Sequence, residues 1–293
     1  MRSTPTTPHA RRTELLRTYD SLLRTEAEMH SAARWDRDGP LFRAVLADGS
    51  GFVSYRNLDG FDGPDDGDQL DALIQRTVEH FADDATVPSL EWKTRGHDRP
   101  GDLGSRLEAH GFVAEDPETV MLGEAALLAV EVYLPEGVVV RRIGFDDRGQ
   151  PVAREVALAD VVRAQAMQVA VFGRQARSSA ETLLGHLLDP SGGMELWVAE
   201  ALLDDGTAEV VSVGRLDVLP GTGCAGLWGG ATLPAWRGQG LYRALVAARA
   251  RSAIAQGARL LHSDCSPDSR PILERAGLVA VTTTTPYTWT RGG

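Results

Sequence analysis

Apolar residues recur at helical spacing from Thr13 to Ala33, Asp68 to Phe81, Leu158 to Val171 and Ala180 to Leu188, predicting four helices that each bury one face. Shorter runs rich in β-branched residues lie between them. A hairpin is expected through Phe42 to Leu58 with Asp48-Gly49-Ser50-Gly51 at its turn. Further strands are expected at Ser89 to Thr94, Glu118 to Gly123, Val138 to Arg142, Met194 to Ala201 and Val210 to Val218, the last two joined through Asp204-Asp205-Gly206. Beyond these, Ala225 to Leu233 reads as a buried strand closed by Pro234. Leu241, Ala244, Leu245, Ala248 and Ala255 then continue at helical spacing. A strand from Leu260 to Cys265 precedes a helix that starts between Pro267 and Pro271 and stops at Gly277, and a last strand runs from Val281 to Thr290.

The segment from Asp98 to Phe112 echoes the one from Asp264 to Leu278, including Leu-Glu-x-x-Gly followed by an apolar residue. A strand precedes and follows each copy. A period of about half the chain indicates duplicated domains rather than a solenoid, whose repeats are far shorter. The 293 residues, 43% of them apolar, suffice for two cores. The division expected is a flexible tail over 1–12, a first domain over 13–130, a linker over 131–137 and a second domain over 138–293.

The chemistry concentrates at Arg237-Gly238-Gln239-Gly240-Leu241-Tyr242, between the strand closed by Pro234 and the helix after it. The first amides of a helix have no intrahelical partner. Glycines at 238 and 240 let the backbone approach an anion, and the helix dipole with Arg237 and Arg243 adds positive potential. A P-loop is excluded because no lysine follows the glycines. A dinucleotide fingerprint is excluded because its third glycine would fall at Arg243.

This stretch resembles motif A of the GNAT acetyltransferase superfamily, an Arg/Gln-x-x-Gly-x-Gly/Ala loop preceded by strand-x-Pro. Pro234, Arg237 and Gly240 match, and Tyr242 departs from the small residue at the last position. The segment after Cys265 is similar to motif B, with Ser266, Ser269 and Leu278 at the places of its Asn, Ala and Phe. The resemblance covers about 138 to 291. It implies an α+β fold of two GNAT-like domains, each a mixed, mostly antiparallel twisted sheet flanked by helices. The first copy has no counterpart of the Arg237 loop and is expected to be degenerate.

The resemblance implies acetyl-CoA as cosubstrate and an amine, small molecule or peptide, as acceptor. The pantetheine arm would meet backbone groups of Ala231, Thr232 and Leu233. The pyrophosphate would rest on amides of Arg237, Gly238, Gln239, Gly240, Leu241, Tyr242 and Arg243, with Ser266 and Ser269 completing the cofactor site. Gly229-Gly230 would mark a bulge opening the cleft where thioester and amine meet. A backbone N–H near Thr232 would serve the oxyanion. The glutamate that relatives carry on this strand is missing, since Cys224 to Leu233 contains no carboxylate, and their motif B tyrosine is replaced by Leu273. Asp264 is the candidate base and Tyr287 the candidate acid. Glu200, Asp217 and His262 are further titratable groups on central strands. An N-acetyltransferase acting in a ternary complex and a non-catalytic acyl-CoA-binding module both remain open, as does an interaction domain that binds no coenzyme.

Composition narrows the partners. A net charge of −11 disfavours nucleic acid and anionic membrane. Cys224 and Cys265, the two cysteines, fit no zinc spacing, and no metal is expected. No apolar run is long enough to cross a bilayer, and Met1 to Arg12 lacks the apolar core of a signal peptide, so the expected location is cytoplasmic. Oligomeric state is not encoded in any recognisable motif.

Overall fold

The computed structural model describes every residue except 1–6, 62, 64, 65, 174, 175, 177, 190, 204, 205 and 293. In chain order the helices are α1 (Pro8–Leu22), α2 (Gly67–Asp83), α3 (Leu103–Ala109), α4 (Ala125–Leu128), α5 (Arg154–Phe172), α6 (Ala180–Leu188), α7 (Leu241–Ala255) and α8 (Arg270–Arg275). The strands are β1 (Ala32–Asp38), β2 (Leu41–Leu46), β3 (Gly51–Tyr55), β4 (Ser89–Arg95), β5 (Val113–Ala114), β6 (Glu118–Glu124), β7 (Val138–Arg142), β8 (Met194–Leu202), β9 (Ala208–Leu219), β10 (Cys224–Thr232), β11 (Leu260–Cys265) and β12 (Val279–Thr290).

The first helix departs from expectation at both ends. It begins at Pro8, inside the span expected to be a tail, because the Thr7 side chain caps Ala10 N (3.2 Å) and proline suits a first helical position. It ends at Leu22 and gives way to a short 3₁₀ turn, Glu26–Met29, and to β1. Asp204 and Asp205 of the expected hairpin turn lie outside the described residues, but the β8–β9 ladder they join is present.

The chain forms two compact units that interleave in sequence. The first comprises Met1–Met121, Asp264–Pro271 and Val279–Gly293, and the second Leu122–Ser263 and Ile272–Leu278. This grouping differs from the linear division expected with its linker at 131–137. β12 pairs with β4 from Thr284↔Arg95 to Thr290↔Ser89, and its Tyr287 and Trp289 pack on the first unit's core.

In the first unit the strand order is β1-β2-β3-β4-β12, with β5 beside β12. Its ladders are antiparallel except β3–β4, which is parallel at Gly51↔Leu90, Phe52↔Glu91 and Val53↔Trp92. The core collects Leu70, Leu73, Ile74 and Phe81 from one stripe of α2 beneath Leu90 and Trp92 of β4. In the second unit the order is β7-β8-β9-β10-β11, again antiparallel except for β10–β11, parallel at Cys224↔Leu260, Ala225↔Leu261 and Gly226↔His262. The two units thus repeat one device, a pair of parallel strands hydrogen-bonded for three residue pairs, each followed by a helix.

One apolar cluster of the second unit joins Ala157, Val161, Ala164 and Met167 of α5 to Leu196, Val198 and Val213, and another joins Leu241 to Val138, Ala199 and Val211. α7 is buried almost all round. Its small residues, Ala244, Ala247, Ala248, Ala250 and Ala253, admit close backbone approach on every side.

Candidate active site

β10 and β11 part after Gly226↔His262. The Ser263 hydroxyl donates to Leu227 O (2.8 Å), replacing a backbone bond by a side-chain bond where the strands diverge. Trp228 folds back so that a Cβ on Gly226 would stand 2.3 Å from its Nε1, and its ring meets His262 edge-on (centroids 5.2 Å apart). The register of β10 against β9 then slips between Trp228 and Ala231, the bulge expected at Gly229-Gly230. Gly229 takes φ +58°, and Gln168 Nε2 of α5 donates to its carbonyl (3.0 Å).

Past the bulge much of the backbone already has partners. Ser212 Oγ donates to Ala231 O (2.7 Å), Arg237 Nε to Thr232 O (3.2 Å), Leu233 N to Val211 O (3.0 Å) and Trp236 N to Leu233 O (2.9 Å). These bonds fix the end of β10 and the 3₁₀ turn Pro234–Trp236, and so aim the loop that follows. Gly238 (φ +77°) and Gly240 (φ +86°) both lie in the left-handed region, which explains why glycine stands at both places. No side chain caps α7. The first intrahelical bond runs from Ala244 N to Gly240 O (2.9 Å), leaving the amides of Leu241, Tyr242 and Arg243 in the first turn ahead of it. The exposed side chains of Arg237 and Arg243 add positive charge at this end of the dipole.

Tyr242 has a structural reason for departing from a small residue. A Cβ on Gly230 would lie 2.8 Å from Tyr242 Cε2, so the ring covers the bare backbone of the bulge. Gly230→Ala is expected to lower stability by about 1–2 kcal/mol in the native background and far less in Tyr242→Ala, a coupling measurable by a double-mutant cycle in urea. Equal losses in both backgrounds would show that the ring and the bulge are independent.

Beside α7 a cavity of about 450 Å³ is walled by Leu127, Val130, Val246 and Ile272, with Arg243 and Arg275 at its edge. Leu273, at the place of the expected tyrosine, is buried against the same cavity. The chain at Val132 and Tyr133 passes Gly240, where a Cβ would stand 3.6 Å from each of Val132 Cγ1 and Tyr133 O.

Asp264, Ser266, Ser269 and Tyr287 fall in the first unit. Asp264 is 5% exposed; its Oδ2 lies 2.7 Å from Lys93 Nζ, and Lys93 is also paired with Glu28 (3.3 Å). The carboxylate proposed to receive a proton is thus held by a buried ammonium. Ser266 and Ser269 bond to each other (3.3 Å), and Arg270 N donates to Ser266 O (3.1 Å), so both organise the turn into α8. Tyr287 packs against α3, where a Cβ on Gly104 would come 2.3 Å from its hydroxyl; burial raises its pKa and Glu108 adds to the effect. Of the other titratable groups, Glu200 is paired with Arg141 and with Arg163 (2.8 Å), and Asp217 with Arg215 (3.1 Å). Cys224 and Cys265 are buried, and burial pushes the Cys265 thiol up to about 11, with Asp264 adding to the rise. Both behave as small core residues.

The sequence reading missed what occupies the corresponding place in the first unit. Beyond Val53↔Trp92, Arg95 of β4 donates to Ser54 Oγ (2.9 Å), to Tyr19 Oη (3.2 Å) and to both oxygens of Glu28 (2.6 and 2.9 Å), while Glu28 also accepts from Ser54. Arg24 pairs with Asp98 (2.8 Å), which accepts from Tyr55 Oη (2.7 Å). Ahead of α2, Asp66 accepts from Gly63 N (3.0 Å), and Asp68 stands in the helix's first turn. The positive end of that helix therefore already faces carboxylates of the chain itself. Single acidic and basic residues scattered over Glu28, Lys93, Arg95 and Asp264 give no sequence pattern from which such a cluster could be read.

Residues 165–277 match the model of the acetyltransferase (GNAT) family. No curated protein matches the chain in sequence. Among solved structures, a GCN5-related N-acetyltransferase from Kribbella flavida is 18% identical, with 91% of this chain and 96% of that one covered at a TM-score of 0.61. One from Sphaerobacter thermophilus is 16% identical, with 93% and 91% covered and a TM-score of 0.55. A tandem GNAT protein from the clavulanic acid biosynthesis pathway is 14% identical, with 96% of each chain covered and a TM-score of 0.55. No helix among the described residues is long and apolar enough to cross a membrane. Residues 165–277 therefore carry the acetyltransferase (GNAT) family match, within a chain that has the GNAT fold along nearly its whole length.

Proposed function

We propose that the second unit binds acetyl-CoA and transfers its acetyl group to a primary amine by direct attack within a ternary complex. The observation that carries this reading is the pair of left-handed glycines opening an uncapped α7, flanked by Arg237 and Arg243 and preceded by the bulged, splayed strand β10. The diphosphate would rest on the amides from Gly238 to Arg243. The nucleotide end is assigned to the cavity bordered by Arg243 and Arg275, whose apolar walls suit a base and whose guanidinium groups suit a phosphate. The pantetheine arm would run along β10, with the thioester at the bulge.

Transfer requires a neutral amine nucleophile, a donor for the oxyanion and a proton for the departing thiolate: as the N–C bond forms and the C–S bond breaks, the nitrogen gives up one proton to solvent and the CoA thiolate takes one from it. Backbone N–H near Thr232 would supply the oxyanion donor. Proton removal is not assigned to Asp264, whose carboxylate is held by Lys93. Orientation of an activated thioester supplies the main acceleration. The first unit is assigned no coenzyme, because Arg95 and Glu28 fill the place where β3 and β4 part and carboxylates front α2. One acetyl-CoA per chain is the consequence.

The test is thiol release from acetyl-CoA across a panel of primary amines. Release with at least one amine is expected, falling at least tenfold in Arg237→Glu through a rise in KM for acetyl-CoA. Tight binding of acetyl-CoA with no release from any amine would favour the second reading, a non-catalytic acyl-CoA-binding module. That reading is supported by the absence of a carboxylate from Cys224 to Leu233 and by Leu273 in place of a phenol.

A further inference from the structure

α7 carries an arginine on the face that meets the sheet. Arg249 is 1% exposed, and no carboxylate among the described residues forms an ion pair with it. Nε donates to Leu245 O one turn back (3.1 Å), and Nη1 donates to Arg215 O on β9 (2.9 Å). Burial pulls its pKa down to about 10, with Tyr242 opposing the shift, so it stays cationic at neutral pH. A guanidinium buried without a counter-charge is a large desolvation penalty that leucine or methionine would avoid.

The chain makes room for this charge at one place. A Cβ on Gly214 would lie 2.6 Å from the Arg249 guanidinium carbon. Arg215 pairs with Trp228 and Val213 with Ala231, so Gly214 between them faces the bulged Gly229-Gly230. Three glycines thus meet there, with the Tyr242 ring over Gly230 and the guanidinium against Gly214. Adjacent strands lie about 5 Å apart, so Gly214, on whose face the guanidinium rests, stands roughly one strand spacing from the bulge.

We propose that Arg249 is an electrostatic positioning residue: it holds a buried positive charge behind the bulge of β10, polarising the thioester carbonyl seated there and stabilising the negative charge that develops on its oxygen during transfer. The proposal rests on the acetyl-CoA reading above. A charge fixed in a low-dielectric interior acts over such distances without reorganising, and the lack of a carboxylate partner leaves its field unquenched. It also gives the domain an electrostatic contribution that does not depend on an acid or base along Cys224 to Leu233.

The test uses the full chain with acetyl-CoA labelled with ¹³C at the carbonyl. Isotope-edited infrared difference spectra read the polarisation of the bound carbonyl directly, whether or not an acceptor is known. The native protein is expected to lower the stretching frequency relative to free acetyl-CoA. Arg249→Met is expected to return it towards the free value with Kd changed less than threefold, while Arg249→Lys keeps most of the shift. With a turned-over amine, kcat in Arg249→Met falls about tenfold at unchanged KM. Arg249→Gln, neutral but still a hydrogen-bond donor, gives the same comparison if the methionine variant does not fold. An identical frequency in native and neutral variants overturns the role of Arg249 and leaves the acetyl-CoA reading standing. Absence of acetyl-CoA binding by the native protein overturns both.

Discussion

Acetyl-CoA affinity is expected to fall about a hundredfold in Gly240→Val while the chain stays folded. Gly240 holds φ +86° as the residue before α7, and a β-branched side chain in that region is strained by about 1–3 kcal/mol. The loop relieves this by turning its peptide planes, which withdraws the amides assigned to the diphosphate. The γ-methyl groups also crowd the backbone at Tyr133, since a bare Cβ already lies 3.6 Å from its carbonyl oxygen. A hundredfold weakening corresponds to about 2.7 kcal/mol, the scale of losing one or two charge-assisted hydrogen bonds. Gly257 provides the control: it has φ +88° just past the other end of α7, with nothing within 4 Å of an added Cβ. Gly257→Val should lower the unfolding temperature comparably and leave calorimetric affinity for acetyl-CoA within about threefold of native. Equal losses of affinity in both variants would trace the effect to general destabilisation and remove the loop from the account.

The second large effect is expected in the first unit, where Glu28→Gln should reduce stability by about 3–5 kcal/mol in urea denaturation. Glu28 is the carboxylate that both Arg95 and Lys93 face, and Arg95 is fully buried, so the neutral variant leaves a guanidinium desolvated with only hydroxyl and carbonyl partners. Burial by itself would raise the Glu28 pKa, but Arg95, Lys93 and the Ser54 hydroxyl reverse that and hold it at about 2, below its ordinary 4.5. A carboxyl depressed by folding contributes stability that is present above its unfolded pKa and lost as pH falls. The native protein should therefore lose stability between about pH 5 and pH 2, and Glu28→Gln should show a shallower acid limb. A loss under 1 kcal/mol at neutral pH would show that the cluster is solvated rather than load-carrying. Acetyl-CoA binding by the second unit is not expected to depend on this variant beyond its effect on folding.

Much of the second unit was legible because its signals are local. The strand-Pro-turn-helix pattern from Ala225 to Ala255, the Gly277 stop (φ +105°) and the hairpins are each set by residues close in sequence, and each stands where it was expected. The bulge at Gly229-Gly230 was legible for the same reason. Expectation failed where a long-range partner decides. β12 carries threonines and aromatics that suit any strand, and its pairing with β4 some 190 residues away determines which unit it joins. Asp264 stands at a strand end that suits a base, and only the distant Lys93 makes it a buried, paired ion. Arg249 lay unnoticed in an alanine-rich helix, because its environment depends on Gly214 of another strand. The helix expected as far as Ala33 overlaps only the first two residues of β1, and Arg34–Asp38 carry no local strand signal; the ladder to β2 makes the whole segment a strand.

Calorimetric titration of the native chain with acetyl-CoA is the decisive measurement, because the second unit is assigned a coenzyme site and the first unit holds an ion cluster in its place. One site per chain is predicted, abolished or weakened at least tenfold by Arg237→Glu and unchanged by Arg56→Glu in the first unit. No heat of binding, or two equivalent sites per chain, would contradict it.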